Sequence, residues 1–245
     1  MDGEVSDDAA PRHMPRGLAA VAQRAPVAEL CDTGRFGALE ARKASMHRAE
    51  APVALWKGAS TKRLFDVAIS SAGLIVLSPL LAVIAIVVVC TSRGPAIHFS
   101  RRVGRRGQFF MMPKFRTMLV SAPICPRESL AGRDQRLTIV GRFLRRTGLD
   151  ELPQLVCVLR GEMSLIGPRP LLADDPGSAE RSKFPAALNV RPGISGLAQV
   201  CGRNALHARQ KARLDAFYAR TASLGFDLAI LVRTVGVIVS GRGFQ

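Results

Sequence analysis

From Val67 to Cys90 the chain reads VAISSAGLIVLSPLLAVIAIVVVC, with no charged residue. As one helix this run would be roughly 36 Å long, enough to cross a hydrocarbon layer of about 30 Å. A spanning helix is the first reading. Two features support another. Ser78-Pro79 falls at the midpoint, where proline removes a backbone donor and bends a helix. Both flanks are basic: Lys57, Lys62 and Arg63 precede the run, and Arg93, Arg101, Arg102, Arg105 and Arg106 follow it. Positive residues favour the cytoplasmic side of a membrane. A hairpin that enters and leaves on one side suits both flanks, whereas a span misplaces one. The residues alone leave both readings open.

The charge of the whole chain narrows its partners. Lysine and arginine number 35 against 19 acids, a formal charge of +16. Such a balance fits an anionic partner: nucleic acid, acidic lipid or a phosphorylated substrate. Aromatics are 5%, with one Trp and one Tyr, too few for a base-stacking platform. Residues 91–149 hold twelve arginines and Lys114 against Glu128 and Asp134. A basic run just after an apolar one suits lipid phosphates. Five cysteines with no CxxC pair, and scattered histidines, argue against a zinc site or a disulfide framework and fit a reducing compartment.

The remaining chain reads as helices joined by shaped loops. Residues 1–58 are rich in Ala, Arg and acids and predict a flexible extension. RLTIVGRFLRR predicts an amphipathic helix, with Leu137, Val140 and Leu144 on one stripe, Ile139 and Phe143 adjoining, and Gly148 as its stop. A second helix is expected from Asp150 to Gly161, burying Leu152, Leu155, Val156 and Leu159. MSLIGPRPLL and NVRPGISGLAQVCGRN read as Gly/Pro loops with short extended pieces. Residues 205–222 predict a basic amphipathic helix. The apolar stretch 226–239 suits either a core or a membrane interface.

There is no GxxxxGKS/T, GxGxxG or HExxH motif, so chemistry must come from acids and arginines. In TGLDELPQL, Asp150 and Glu151 are adjacent. An acid pair at a helix start is commonly a cap. The same helix dipole is expected to lower a carboxyl pKa and keep it ionised and nucleophilic. Adjacent side chains leave a helix on different faces, so one acid could attack while the other holds Mg2+, which prefers oxygen ligands. In GPRP, prolines fix the backbone around Arg169, whose guanidinium can present a fork to phosphate.

KRLFD (62–66), KFRTM (114–118), LDELPQL (149–155), GEMSLIGPRPLL (161–172), RPGISGLAQVCGRN (191–204) and the closing GRG (241–243) occur in this order. Together they resemble the bacterial sugar transferase family, the monotopic polyprenyl-phosphate phosphoglycosyl transferases, in its small PglC-like and ExoY-like members. The resemblance implies an α-rich α+β fold. It comprises a re-entrant membrane helix-hairpin over 59–92, broken at Ser78-Pro79, and amphipathic interfacial helices. A small cytoplasmic catalytic domain with short strands and loops follows over 93–245. It implies transfer of a hexose-1-phosphate from a UDP-sugar to undecaprenyl phosphate, releasing UMP, in exopolysaccharide or glycoconjugate synthesis. Asp150 would be the nucleophile, with Glu151 assisting, and both acids are candidate Mg2+ ligands. Arg169 and Arg145 match family arginines. Lys114, Arg116 and Arg203, which lie in or beside the matched segments, are counted with them as phosphate- or substrate-binding. Expected partners are membrane lipid, a second copy of the chain and downstream glycosyltransferases, with no nucleic acid. The expected location is the cytoplasmic face of the bacterial inner membrane. A basic, membrane-anchored binding protein without enzymatic activity is the alternative.

Overall fold

The computed structural model describes residues 59–119, 137–173, 175–202 and 206–240. The chain divides into two units, Met1–Ala49 and Glu50–Gln245, and every described residue belongs to the second. The extension expected over 1–58 and the candidate Arg203 lie outside the described residues.

Helix α1, Ala59–Thr91, carries the apolar run. It is about 50 Å long at the usual rise. Helical structure runs on both sides of Ser78-Pro79 and through Pro79 itself. Pro79 has no N–H to give the carbonyl of Ile75 four residues earlier. The Ser78 hydroxyl donates to that carbonyl instead, at 2.8 Å, so the acceptor is satisfied without unwinding. Ile75, Val76, Val83 and Ile86 are exposed along the middle of α1.

Both ends of α1 dock on the rest of the same unit. Near the start, Arg63 donates to the carbonyls of Val158 and Leu159. Lys62 there pairs with Asp66 and with the fully buried Asp227. Asp66 also accepts from the Ser164 hydroxyl at 2.8 Å. Near the end, Ile84 and Val88 form a core with Phe115 and Leu144.

Two small sheets follow. Strands β1 (Ile97–Val103) and β2 (Phe109–Phe115) make an antiparallel hairpin, with Ile97 opposite Phe115 and Val103 opposite Phe109. Helix α2, Ile139–Thr147, is capped by Thr138, whose hydroxyl accepts from Gly141 N–H at 2.8 Å. Leu144 of the expected stripe is buried, but Ile139 and Phe143 face out, 87% and 60% exposed. A 3-10 turn, Leu149–Gln154, leads into α3, Leu155–Arg160, which Gly161 ends with φ 84°. Strand β3 (Ser164–Ile166) pairs in parallel with β4 (Gly193–Ser195), and α4 (Pro176–Ser182) and α5 (Pro185–Leu188) lie between them in sequence.

The chain then forms α6 (Leu197–Cys201), α7 (Ala208–Thr221) and α8 (Leu224–Ser240). Helix α8, which covers the stretch 226–239, packs one side into the core. Asp227 and Ile230 are fully buried, while Val232 and Val235 are exposed. Cys90 and Cys157 are free thiols.

Candidate active site

The acid pair lies in the 3-10 turn rather than at the start of an α-helix. Gly148 closes α2 in the left-handed region, φ 73°, which glycine adopts without a Cβ penalty. The chain then winds three residues per turn before α3 begins at Leu155. The tighter phase changes which side chains go inside. Leu155 is buried as expected, but Cys157 and Val158 join it, while Leu152, Val156 and Leu159 are only half-buried.

Strand β2 lies against this turn and brings Lys114 to it. Lys114 donates to Glu151 Oε1 at 2.7 Å, and Arg169 donates to the same oxygen at 3.1 Å. Burial alone would raise the Glu151 pKa. The two adjacent cations outweigh it and hold the group well below the usual carboxylate range. Asp150 is the opposite case. It is 7% exposed. Burial first, then the Glu151 charge, lift its carboxyl to about 6, against the pull of Lys114, Arg145 and Arg169. The expectation of a depressed Asp150 pKa is thus corrected. A short 3-10 turn carries little aligned dipole, and burial beside a second carboxylate dominates.

The loop Gly167-Pro168-Arg169 follows β3 and is tied down on two sides. Gly167 N–H donates to Ser195 O, and Gly193 N–H donates to Pro168 O, both at 2.9 Å. From α4, Arg181 Nη1 donates to the Arg169 carbonyl at 2.8 Å and Nη2 to Asp215 Oδ2 of α7 at 2.6 Å. Arg181 and Asp215 are both buried. They brace the main chain of Arg169 from behind. The sequence holds a signal for this brace: Asp215 is an acid on the inner side of a basic helix, among buried Ala212, Ala216 and Ala219. Arg181→Lys keeps the charge but loses the fork that serves two acceptors. The expected result is a loss of about 1–2 kcal/mol in melting experiments, with activity down about tenfold.

The other candidates divide. Arg145, on α2, donates from Nε to Thr117 Oγ1 at 2.9 Å, and its charge acts on Asp150. Arg116, a phosphate-binding candidate, turns its guanidinium toward the end of α1 rather than toward Asp150 and Glu151. Its guanidinium donates to the carbonyls of Ser92 at 2.6 Å and Arg93 at 2.7 Å, just past the end of α1. These are acceptors that a helix C-terminus leaves without partners. Ser78 and Pro79 belong to α1 and serve its continuity.

Among the described residues no group of three His, Cys, Asp or Glu side chains could hold a metal. Asp150 and Glu151 therefore offer two carboxylates at most. Glu151 receives both cations on Oε1, which leaves Oε2 uncommitted to them. A donor set this small suits Mg2+ when substrate phosphate oxygens complete it.

The buried Asp150 and half-buried Glu151 thus lie among lysine and arginine side chains, on a unit that also carries a long, largely exposed apolar helix. The family model described as "Bacterial sugar transferase" matches residues 57–241. Undecaprenyl-phosphate galactose phosphotransferase of Salmonella typhimurium is 39% identical, over 74% of this chain and 41% of that protein. Exopolysaccharide production protein ExoY of Rhizobium meliloti is 37% identical, over 76% of this chain and 88% of that protein. UDP-glucose:undecaprenyl-phosphate glucose-1-phosphate transferase of Caulobacter vibrioides is 42% identical, over 71% and 68%. The chain belongs to the bacterial sugar transferase family. It spans about two fifths of the Salmonella relative and most of the Rhizobium one.

Proposed function

We propose that this protein moves a hexose-1-phosphate from a UDP-sugar to undecaprenyl phosphate through a covalent intermediate on Asp150. The observation that carries this reading is the pairing of a buried, proton-attracting Asp150 with a Glu151 held ionised by Lys114 and Arg169. The names of the relatives supply the substrate class.

In the first step an Asp150 carboxylate oxygen attacks the β-phosphorus. The bond from that phosphorus to the oxygen bridging the two phosphates breaks, and UMP leaves with the electron pair. In the second step a phosphate oxygen of undecaprenyl phosphate attacks the same phosphorus, and the Asp150 carboxylate is restored. Both substrates bring phosphate charge that would repel an anionic nucleophile. Lys114, Arg169 and Arg145 offset it. Glu151 fixes Lys114 and Arg169 in place through one oxygen. Mg2+, held by Glu151 and Asp150 with phosphate oxygens, would add charge neutralisation.

The proposed seat is the cytoplasmic face of the bacterial inner membrane. Both ends of α1 bind the same unit, at Val158 and Leu159 and again at Arg116. A spanning helix would hold those ends apart across about 30 Å of hydrocarbon. This supports an α1 that enters the apolar layer without crossing it.

A panel of UDP-sugars, tested with undecaprenyl phosphate and read by UMP release, tests the function. One hexose donor is expected to release UMP and place label in the lipid fraction. Chelation is expected to remove the activity and Mg2+ to restore it. UMP release with all label in water would make the protein a hydrolase and sink the transfer.

A further inference from the structure

A narrow cleft opens beside Glu151, between β1 and the Arg169 loop. Arg102, Lys114, Gln154 and Arg169 line it together with Glu151. Glu151 is already shared between Lys114 and Arg169. Arg102 has no ion pair there. Among the described residues its guanidinium makes one hydrogen bond, from Nε to Ser100 Oγ at 3.2 Å, so its two terminal amino groups are unspent. Burial first, then the Arg169 charge, pull its pKa down to about 10. Among the described residues the fold therefore keeps a partly buried arginine without a direct ion pair beside another cation, only partly offset by the charges of Asp175 and Glu151, an arrangement that costs stability unless an anion joins it. Gln154 adds an independent observation. Its side chain is 2% exposed and its Nε2 has no hydrogen-bond partner. A buried donor without an acceptor is likewise costly.

We propose that Arg102 and Gln154, with Arg169, form a phosphate seat in this cleft, distinct from the atom that Asp150 attacks. The planar fork of Arg102 presents two donors to one phosphate group, and the Gln154 amide supplies a third. Two sources share that chemistry: the departing phosphate of a nucleoside diphosphate sugar, or the headgroup of a polyprenyl phosphate. Assignment to either source rests on the function proposed above; anion binding by the cleft does not.

The test uses the full chain in detergent, with pyrophosphate titrated calorimetrically against the wild type, Arg102→Gln, Arg102→Lys and Gln154→Met. Arg102→Gln is expected to weaken pyrophosphate binding about 10- to 100-fold, Arg102→Lys less, and Gln154→Met about tenfold. Melting temperatures should stay level or rise, because each change removes an unmet charge or donor. A residue that merely supports the fold would give falling temperatures. Binding within twofold of wild type in both Arg102→Gln and Gln154→Met overturns the proposal. So does lost binding accompanied by a matching fall in melting temperature in all three variants. Turnover then separates the sources. A raised KM for the UDP-sugar in acceptor-free UMP release assigns the seat to the donor, and a raised KM for undecaprenyl phosphate alone assigns it to the acceptor. A wild type that binds pyrophosphate through these residues yet releases no UMP would uphold the seat and remove the transferase reading.

Discussion

Asp150→Asn is expected to cut UMP release from a UDP-sugar by about a thousandfold or more, the scale seen when a nucleophile is removed. The same change should make the protein more stable at neutral pH. Burial and the neighbouring Glu151 raise the Asp150 carboxyl from 3.8 to about 6. Between those values the folded protein holds the proton more tightly than the unfolded chain does. Stability contributed by this group is therefore greatest below about pH 4. It falls as pH rises to about 6 and stays lower above that. The ionised side chain costs on the order of 3 kcal/mol at pH 7. Asn has no charge to bury, so the variant should melt higher at pH 7 and show little difference at pH 4. Activity has the opposite slope. Attack needs the carboxylate, so the rate of UMP release should climb through about pH 6. Full turnover in the variant, or a rate flat from pH 5 to 7, would remove Asp150 from the chemistry. A gain in stability with a loss of activity is what separates a working acid from a helix cap, whose removal destabilises.

The sequence exposed the members of this site better than their environment. Asp150, Glu151, Lys114 and Arg169 were each legible as candidates, and the structure brings them together. Their electrostatics were not legible. The direction of the Asp150 shift depends on burial by β2 and on a 3-10 turn, neither of which a run of residue types specifies. The surroundings of Arg116 were hidden for a related reason. A basic residue two places from Lys114 looked like a second phosphate ligand, yet the α1 terminus supplies carbonyls that take its guanidinium. Ser78-Pro79 carried a correct warning about the backbone, since proline does remove a donor. What the pattern could not show was that the preceding serine gives the Ile75 carbonyl a replacement donor. Arg181, Asp215 and Gln154 escaped because their value lies in long-range pairing or its absence. The apolar run of α1 was plain from composition. That both its ends belong on one side was suggested by the basic flanks, but the contacts that hold them there required the fold.

The glycines of GPRP and PGISG were read as loop formers, and their geometry sets a stronger demand. A Cβ on Gly193 would lie 2.1 Å from Gly167 N and 2.4 Å from Ser195 O. A Cβ on Gly196 would lie 2.1 Å from Gly167 O. These neighbours are backbone atoms, and they also make the bonds that hold the Arg169 loop, Gly167 N–H to Ser195 O and Gly193 N–H to Pro168 O. A side chain there cannot be accommodated by a rotamer change; β3 and β4 must separate. Overpacking ordinarily costs about 1–3 kcal/mol where side chains can yield. Gly193→Ala is expected to exceed that range, at about 4 kcal/mol, lowering the melting temperature by roughly 8–16 °C. Gly236→Ala provides the opposite sign. That glycine lies inside α8 with nothing within 4 Å of an added Cβ, and alanine should stabilise the helix by about 0.5–1 kcal/mol. Thermal melts of the two variants in one detergent decide the matter. If Gly193→Ala melts with the wild type, the strands do not meet as closely as this, and the alignment of Arg169 over Glu151 must come from the Arg181–Asp215 brace alone.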